Sequence, residues 1–238
     1  MRKFLMVLTV VAGCDVAVDP VSPPQSQAVP VTNTGPTMSS SAAISAFSTV
    51  ARRVEPVAER LCTQQTNGGN CDFQIKLDRD PKLPPNAYQS LDKQGRPVIT
   101  FTGAIMSSFG NVDEIAFVMS HEAAHHIRGH LQRGARDATI GALVLAGVAA
   151  AAGDSANTIL DAQQLGAAVG SRSYSKNYEL EADQLGTLIT AKAGYSPRKG
   201  VEYFYRLPDP GDRFLGSHPP NGDRIAIVQQ TIQTNDLN

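Results

Sequence analysis

Apolar residues recur three or four positions apart over most of this chain, and that spacing predicts helices as its main elements. The first such segment covers residues 42–62, where Pro56 either kinks the helix or divides it. A second helix begins at a polar N-cap, either Asn111 or Asp113, and presents an apolar face that includes Ile115. Helices therefore flank both ends of the region between residues 62 and 111.

Further helices are predicted in the second half of the chain. They cover residues 140–152, residues 158–169, a segment from Ser171 or Ser173 to about Gly194, residues 195–207, and a last helix opened by Pro219 or Pro220. The segment 140–152 consists of Ala, Gly and aliphatic residues, and it is too short to span a bilayer, which takes about 20 residues. It is either a closely packed core helix or, as the alternatives, a mobile flap over the active site or a surface that touches a membrane.

Between the first two helices the period changes from helical to two, which indicates strands. Residues 71–77 alternate apolar with polar side chains, and residues 86–90 and 96–102 are two more short strands. The sequence therefore predicts an α+β fold, mainly helical, with a small antiparallel sheet beside the second helix. Residues 98–102 are the candidate edge at which an extended peptide could add as a strand, and an ordinary core strand is the alternative.

The N-terminus has the pattern of an exported lipoprotein. Residues 1–13 combine a basic start with a nine-residue apolar run, the length of a signal-peptide core. The run ends in Val-Ala-Gly-Cys, which resembles the bacterial lipobox, so Cys14 is expected to carry acyl chains such as palmitate and to hold the protein at a membrane. Residues 14–41, rich in Pro, Ser and Thr, would be a flexible tether. A plain secretory signal or a buried N-terminal strand are the alternatives.

Composition and charge narrow the choice of partners. Of the 238 residues 42% are hydrophobic and 18% charged, which is ordinary for a globular protein, and a net charge of −1 does not indicate nucleic acid as a partner. The three cysteines form no CxxC pair, which argues against a thiolate zinc site. With Cys14 set apart for lipid, Cys62 and Cys71 are expected to form a disulfide in an oxidising compartment; two free thiols are the alternative.

The candidate chemistry lies in the second helix, at His121-Glu122-Ala-Ala-His125. Residues four apart share one helix face, so the two imidazoles can bind one zinc ion, and Glu122 is placed to take a proton from a zinc-bound water. His126 and His130 lie about 140° and 180° round the helix from His121. From an unbroken helix neither can bind the same zinc, and both are expected in polar packing or at the surface.

A third ligand must then come from another segment. Glu179 and Asp183 lie four apart in Glu-Leu-Glu-Ala-Asp, on one helical face, whereas Glu181 points about 200° away from Glu179. A Glu ligand and an Asp that orients a zinc-bound His are the groups that such a zinc site needs. A solvated acidic helix face is the alternative.

These motifs in combination resemble the gluzincin peptidases of the HtpX, BepA and LoiP kind, a group that includes the CAAX prenyl endopeptidase. The resemblance extends over residues 86–227 and takes in the Ser-His-Pro-Pro segment at 217–220 together with Arg224. The small size and the lipobox make the chain most similar to the small periplasmic lipoprotein members of the group. The resemblance implies a zinc peptidase domain over residues 42–238.

The resemblance also implies roles for individual residues and one zinc ion per subunit. It implies His121, His125 and Glu179 as ligands, Glu122 as general base, Asp183 as partner of a ligand His, His218 as a group near the zinc that stabilises the oxyanion, and Arg224 as a brace for the loop of His218.

The implied activity is cleavage of unfolded or misassembled envelope proteins on the periplasmic side of the inner or the outer membrane. An envelope assembly machinery is a further expected partner. The alternative is a zinc-bound chaperone or assembly factor with little turnover, against which the intact Glu122 argues.

Overall fold

The computed structural model describes residues 35–173, 175–211 and 219–237. The predicted signal segment, Cys14 and His218 lie outside these residues, and only the end of the predicted tether lies within them.

The described residues are mainly helical, which confirms the predicted α+β class. In chain order the elements are α1 (Ser40–Gln65), β1 (Gln74–Asp78), β2 (Ala87–Leu91), β3 (Pro97–Thr102), a 3-10 helix (Gly103–Ser108), α2 (Val112–Ile127), α3 (His130–Ala151), α4 (Ala156–Ser173), α5 (Ser175–Lys192), α6 (Pro197–Gly200), a second 3-10 helix (Val201–Tyr205) and α7 (Asn221–Thr234). Helix α1 continues through Pro56, which therefore does not divide it.

The three strands form one sheet in the order β1-β3-β2, and this sheet is mixed, not antiparallel as expected. Strands β2 and β3 are antiparallel, with Tyr88 opposite Thr100, whereas β1 runs parallel to β3, with Ile75 opposite Ile99. The reason is the connection from β1, which carries the chain past β3 to the far side of the sheet. When the next turn reverses the chain, β3 runs in the direction of β1.

The expectation that residues 98–102 form the sheet edge is wrong. Strand β3 is paired on both sides and all six of its residues are buried. Its run of apolar and β-branched residues is that of a central strand, which is buried on both faces. Strand β2, with half-buried and exposed side chains, is an edge strand instead.

Helix α2 is the centre of the fold. Asn111 caps its N-terminus, since its side chain accepts a hydrogen bond from Glu114 N at 3.0 Å. Helix α1, the sheet and α5 all pack on α2, which explains why eleven of its sixteen residues are buried. Helix α5 comes closest at Gly186, where a Cβ atom would lie 3.0 Å from the backbone nitrogen of His121. Only glycine lets the two helix backbones approach so closely.

Helices α3 and α4 form an antiparallel hairpin that packs mainly on itself. A Cβ on Gly141 would lie 2.1 Å from the carbonyl oxygen of Gly166, so the two backbones are in direct contact. The segment 140–152 belongs to α3 and is closely packed on that side, as its small residues predict. Its larger side chains are exposed, however, so it is not a helix of the protein core.

A disulfide between Cys62 and Cys71 ties the last turn of α1 to the segment before β1. Because the loop it closes is short, we expect the Cys62→Ser/Cys71→Ser double variant to lose at most about 2–3 kcal/mol of unfolding free energy. Urea unfolding of the two proteins measures this loss. Wild-type protein in reductant is the control and should show the same stability as the double variant; an unchanged midpoint in both would contradict a stabilising disulfide.

Candidate active site

The two histidines of the HExxH segment share one face of α2, as the spacing predicts. Their Nε2 atoms lie 3.0 Å apart. His121 is buried and His125 is mostly so, with 17% of its side chain exposed. Both Nε2 atoms therefore point to the same place at the edge of the core.

Helix α5 brings the carboxylate of Glu179 to that place. Its Oε2 lies 3.5 Å from His121 Nε2 and its Oε1 lies 3.3 Å from His125 Nε2. In a tetrahedral zinc site with bonds of about 2.0–2.1 Å, neighbouring donor atoms are about 3.3 Å apart. The three groups, all within 4.8 Å of one another, thus fit a metal ion by donor chemistry and by spacing.

Asp183 holds the ring of His121 from the other side. Its Oδ1 lies 2.9 Å from His121 Nδ1, which leaves Nε2 facing Glu179. The carboxylate is fully buried and accepts two hydrogen bonds from Arg224, from Nε at 2.7 Å and from Nη2 at 2.8 Å. The arginine was expected to brace the loop of His218; in the structure its guanidinium binds Asp183 and stacks on Phe204 at 4.1 Å.

Two carboxylates, those of Asp183 and Glu179, stabilise positive charge on His121. Burial lowers the pKa of His121, but Asp183 and Glu179 outweigh it and raise the pKa to about 10. Burial likewise raises the pKa of Asp183, yet Arg224 and His121 hold it below its usual value. The cluster therefore stabilises a cation at His121, whether that cation is a proton or a metal ion.

Glu122 lies in the same cleft, next to the three candidate ligands. Burial raises the pKa of its carboxyl group, an effect that His121 and His125 oppose. A carboxyl group whose pKa is raised towards neutral pH can both accept and return a proton. The structure thus places the predicted base beside the candidate metal site.

The cleft has a volume of about 490 Å³. Residues 85–89, at the start of edge strand β2, lie along it, and Ile105, Phe204 and Leu207 add apolar surface. An extended chain could lie beside β2, since the main-chain groups on the outer side of an edge strand have no strand partner. The sheet edge that lies along the cleft is therefore that of β2, on the opposite side of β3 from β1.

His126 packs away from the cleft in a polar contact, as the sequence predicts, and it also has an aromatic neighbour. Its Nε2 lies 2.8 Å from the carbonyl oxygen of Asn70, and its ring meets Phe73 edge-on at 5.3 Å.

The sequence reasoning missed His130, which contacts the candidate ligand His125, and Glu181, which contacts His130. Helix α2 ends at Ile127, with Arg128 as its C-cap, and Gly129 has a positive φ of 66°, so the helix is broken before His130. The 180° separation assumed an unbroken helix. A glycine after a charged residue at a helix end is a known stop signal and could have shown the break.

As a result His130 lies against His125 and not on the opposite side. Its Nδ1 is 2.9 Å from His125 Nδ1, and its Nε2 is 3.2 Å from Glu181 Oε2. Burial lowers the pKa of His130 to about 4, although Glu181 opposes this, so the ring is neutral at pH 7. The Arg133 guanidinium binds Glu181 and holds the pKa of that carboxyl at about 2.

In comparison with known protein families, residues 46–232 match Peptidase family M48. Over 157 residues the chain is 31% identical to a Vibrio cholerae serotype O1 protein whose name describes it as a beta-barrel assembly-enhancing protease, covering 59% of this chain and 32% of that protein.

The chain is also similar to two proteins named mitochondrial metalloendopeptidase OMA1. Identity to the Arabidopsis thaliana protein is 28% over 138 residues, covering 56% of this chain and 27% of the relative. Identity to the Saccharomyces cerevisiae protein is 27% over 172 residues, covering 67% and 47%. The chain thus spans less than half the length of each of these relatives.

Proposed function

The chain belongs to peptidase family M48, and on that premise we propose that it is a zinc-dependent metalloendopeptidase of the bacterial cell envelope that cuts unfolded or misassembled envelope proteins. The observation that carries the proposal is the meeting of His121, His125 and Glu179 from two helices, beside Glu122, in one cleft.

Zinc is the metal that this donor set favours. Two imidazoles and one carboxylate are a common protein contribution to catalytic zinc, and three protein ligands leave a position open for chemistry. Zinc held there would supply Lewis acidity towards a carbonyl and lower the pKa of a bound water. Asp183 would keep the proton of His121 on Nδ1, so that Nε2 is free to bind.

The residues of the chain would carry the proton and place the peptide. Glu122 would accept a proton from the attacking water and return it to the leaving amine, which is the general acid–base role that its position permits. The sequence resemblance predicts that His218 donates a hydrogen bond to the oxyanion, and this role stays a prediction.

Substrates would bind as an added strand along β2. Only an extended segment can form the main-chain hydrogen bonds of an added strand, and a folded protein seldom exposes such a segment. The position of residues 85–89 along the cleft therefore supports unfolded or misassembled chains as the substrate class. An envelope assembly machinery as a partner is supported by the name of the Vibrio cholerae relative.

Two features of the chain, the lipobox and the disulfide, support the proposed location. The lipobox at residues 11–14 favours export and acylation of Cys14. The Cys62–Cys71 disulfide supports an oxidising compartment, since such bonds are rare where thiols are kept reduced. We therefore propose a lipid anchor in the inner or outer membrane, with the peptidase domain on the periplasmic side.

We expect Glu122→Gln to lower the rate of casein cleavage by at least about 100-fold while zinc content stays at one per chain. General bases contribute roughly 10²–10⁴-fold to catalysis, and Gln cannot accept the proton. Cleavage of fluorescent casein and zinc by atomic absorption measure the two quantities, with Glu179→Gln as the matched variant that should lose zinc as well as activity.

Three outcomes of that experiment distinguish the peptidase from the alternative functions. Loss of cleavage in Glu122→Gln with zinc retained supports the peptidase. Wild-type protein that binds zinc and cuts nothing would favour the chaperone or assembly factor. Wild-type protein without zinc would overturn the metal assignment itself.

We expect Cys14→Ser to abolish lipid attachment, because the cysteine sulfur is the acceptor of the lipid in the lipobox resemblance. Cells expressing the chain are labelled with an alkyne-tagged palmitate and the protein is then isolated and probed for label. Cys62→Ser/Cys71→Ser is the control and should be labelled like wild type. Equal labelling of Cys14→Ser and wild type would overturn the proposed anchor.

A further inference from the structure

The contact between His130 and His125 lies beside the candidate zinc site, and the proposed reaction does not use it. His125 Nε2 faces the other candidate ligands, so its Nδ1 is the only ring nitrogen left for another partner, and that partner is His130 Nδ1 at 2.9 Å. His130 turns its second nitrogen to Glu181 at 3.2 Å. The three side chains thus form an unbroken line from the metal site to α5.

We propose that His130 and Glu181 are positioning residues that fix the ring of His125 for metal binding. This inference rests on the proposed zinc site. An Nε2 that binds a metal carries no proton, so the proton of a neutral His125 is on Nδ1 and is donated to His130. His130 must then accept at Nδ1, which places its own proton on Nε2, and it donates that proton to Glu181.

Each hydrogen-bond direction in this line follows from the one before it. The line ends at a carboxylate, which only accepts and therefore admits no reversed arrangement. Because Glu181 selects the tautomer of His130, and His130 that of His125, a residue two contacts away decides which nitrogen of His125 is free for the metal.

The far end of the line is held in place by α3 and α5. Arg133 Nη2 donates to Glu181 Oε1 at 3.1 Å, and the Arg133 guanidinium lies over the ring of Tyr178 at 4.2 Å. The His130 ring stacks on the same tyrosine, with 4.8 Å between ring centroids and 14° between planes. These contacts leave the His130 ring little freedom to turn.

The two candidate histidine ligands would therefore be oriented in different ways. His121 contacts a buried carboxylate, that of Asp183, directly, whereas His125 reaches the carboxylate of Glu181 through the ring of His130. The three acidic groups come from alternate positions 179, 181 and 183 of α5, which explains why acidic residues alternate with Leu180 and Ala182 in the sequence.

The test compares His130→Leu, which removes the acceptor, with His130→Asn, whose amide oxygen can still accept from His125. Zinc dissociation constants are measured by chelator competition at pH 7, and cobalt-loaded proteins are compared by their visible absorption. We expect His130→Leu to weaken zinc binding by roughly 10–100-fold and to change the cobalt spectrum. His130→Asn should restore most of the affinity, and Glu181→Gln should fall between His130→Leu and wild type.

His126→Leu is the matched control, since His126 adjoins His125 but packs on Asn70 and Phe73; its zinc affinity should equal that of wild type. The inference is overturned if His130→Leu or, should that variant not fold, Glu181→Gln binds zinc as wild type does with an unchanged cobalt spectrum. Wild-type protein that binds no zinc would instead overturn the proposed function, so the two failures are distinguishable.

The α3–α4 hairpin exposes an apolar surface. Ten large hydrophobic side chains are exposed among the described residues, and seven of them belong to this hairpin: Leu131, Ile140, Leu143, Val144, Val148, Leu160 and Leu165. Helix α3 is also long and apolar enough to cross a membrane by length and composition. An apolar surface of this kind marks an interaction site.

Four of the five large exposed side chains of α3 share one face that ends in positive charge: Ile140, Leu143, Val144 and Val148. Leu131 lies on the opposite side of the helix and lines the cleft. Ile140, Val144 and Val148 follow each other at intervals of four, while the buried Ala142 and Ala149 lie about 180–200° away. The exposed Arg136 continues the same face one turn before Ile140. From residue 138 to residue 153 the chain carries no charged side chain.

We infer that this face of α3 rests on the surface of an anionic lipid bilayer. An apolar stripe with arginine at its end fits acyl chains beside negative headgroups, and the proposed acyl anchor on Cys14 would keep the domain near a bilayer. Asp154 at the hairpin tip and Asp161 in α4 disfavour insertion across the membrane, because a carboxylate is costly in hydrocarbon.

The test uses the mature chain with Cys14→Ser, so that no acyl group contributes, and sedimentation with vesicles. Vesicles contain either phosphatidylcholine alone or phosphatidylcholine with 30% phosphatidylglycerol, at about 0.1 M salt. We expect binding to the anionic vesicles at least tenfold tighter than to the neutral ones, and at least tenfold weaker binding by Leu143→Glu/Val144→Glu.

Leu91→Glu is the matched control, since Leu91 is also an exposed large hydrophobic residue but lies on β2; it should bind like the parent chain. Equal binding by the double variant and the parent would overturn the inference, as would failure of the parent to bind anionic vesicles. Self-association without vesicles that the double variant abolishes would assign the face to a second copy of the chain and overturn the lipid surface.

Discussion

The close contact between α2 and α5 is the constraint on which the candidate site depends. Gly186 allows the two backbones to meet at His121, and this approach puts Glu179 within reach of both histidines. A larger residue at position 186 would push the helices apart and separate the two halves of the donor set. Here a packing requirement, and not a hydrogen bond, sets the geometry of the chemistry.

The same contact explains the arrangement of charge. Asp183, one turn after Glu179, is buried against His121, and a buried carboxylate is stable only when paired. Arg224 of α7 supplies that pair, with two short hydrogen bonds. The metal site, its orienting carboxylate and the C-terminal helix therefore form one connected unit.

The parts of this arrangement that follow from local spacing could be predicted from the sequence. Helix geometry fixes the relation between residues three or four apart. It therefore predicts the shared face of the two HExxH histidines, the shared face of Glu179 and Asp183, and the N-cap of α2. The parts that were missed depend on distant segments. The parallel partner of β3 and the position of His130 follow from chain connections and from a helix break, which periodicity does not report.

The contact of Arg224 with Asp183 also bears on how the protein is made. The order of the sequence places Arg224 103 residues after His121. A chain that emerges N-terminus first presents its histidines long before the guanidinium that steadies Asp183. The site can therefore take its final form only after the chain as far as α7 has been made, which separates the synthesis of the histidines from the completion of the site.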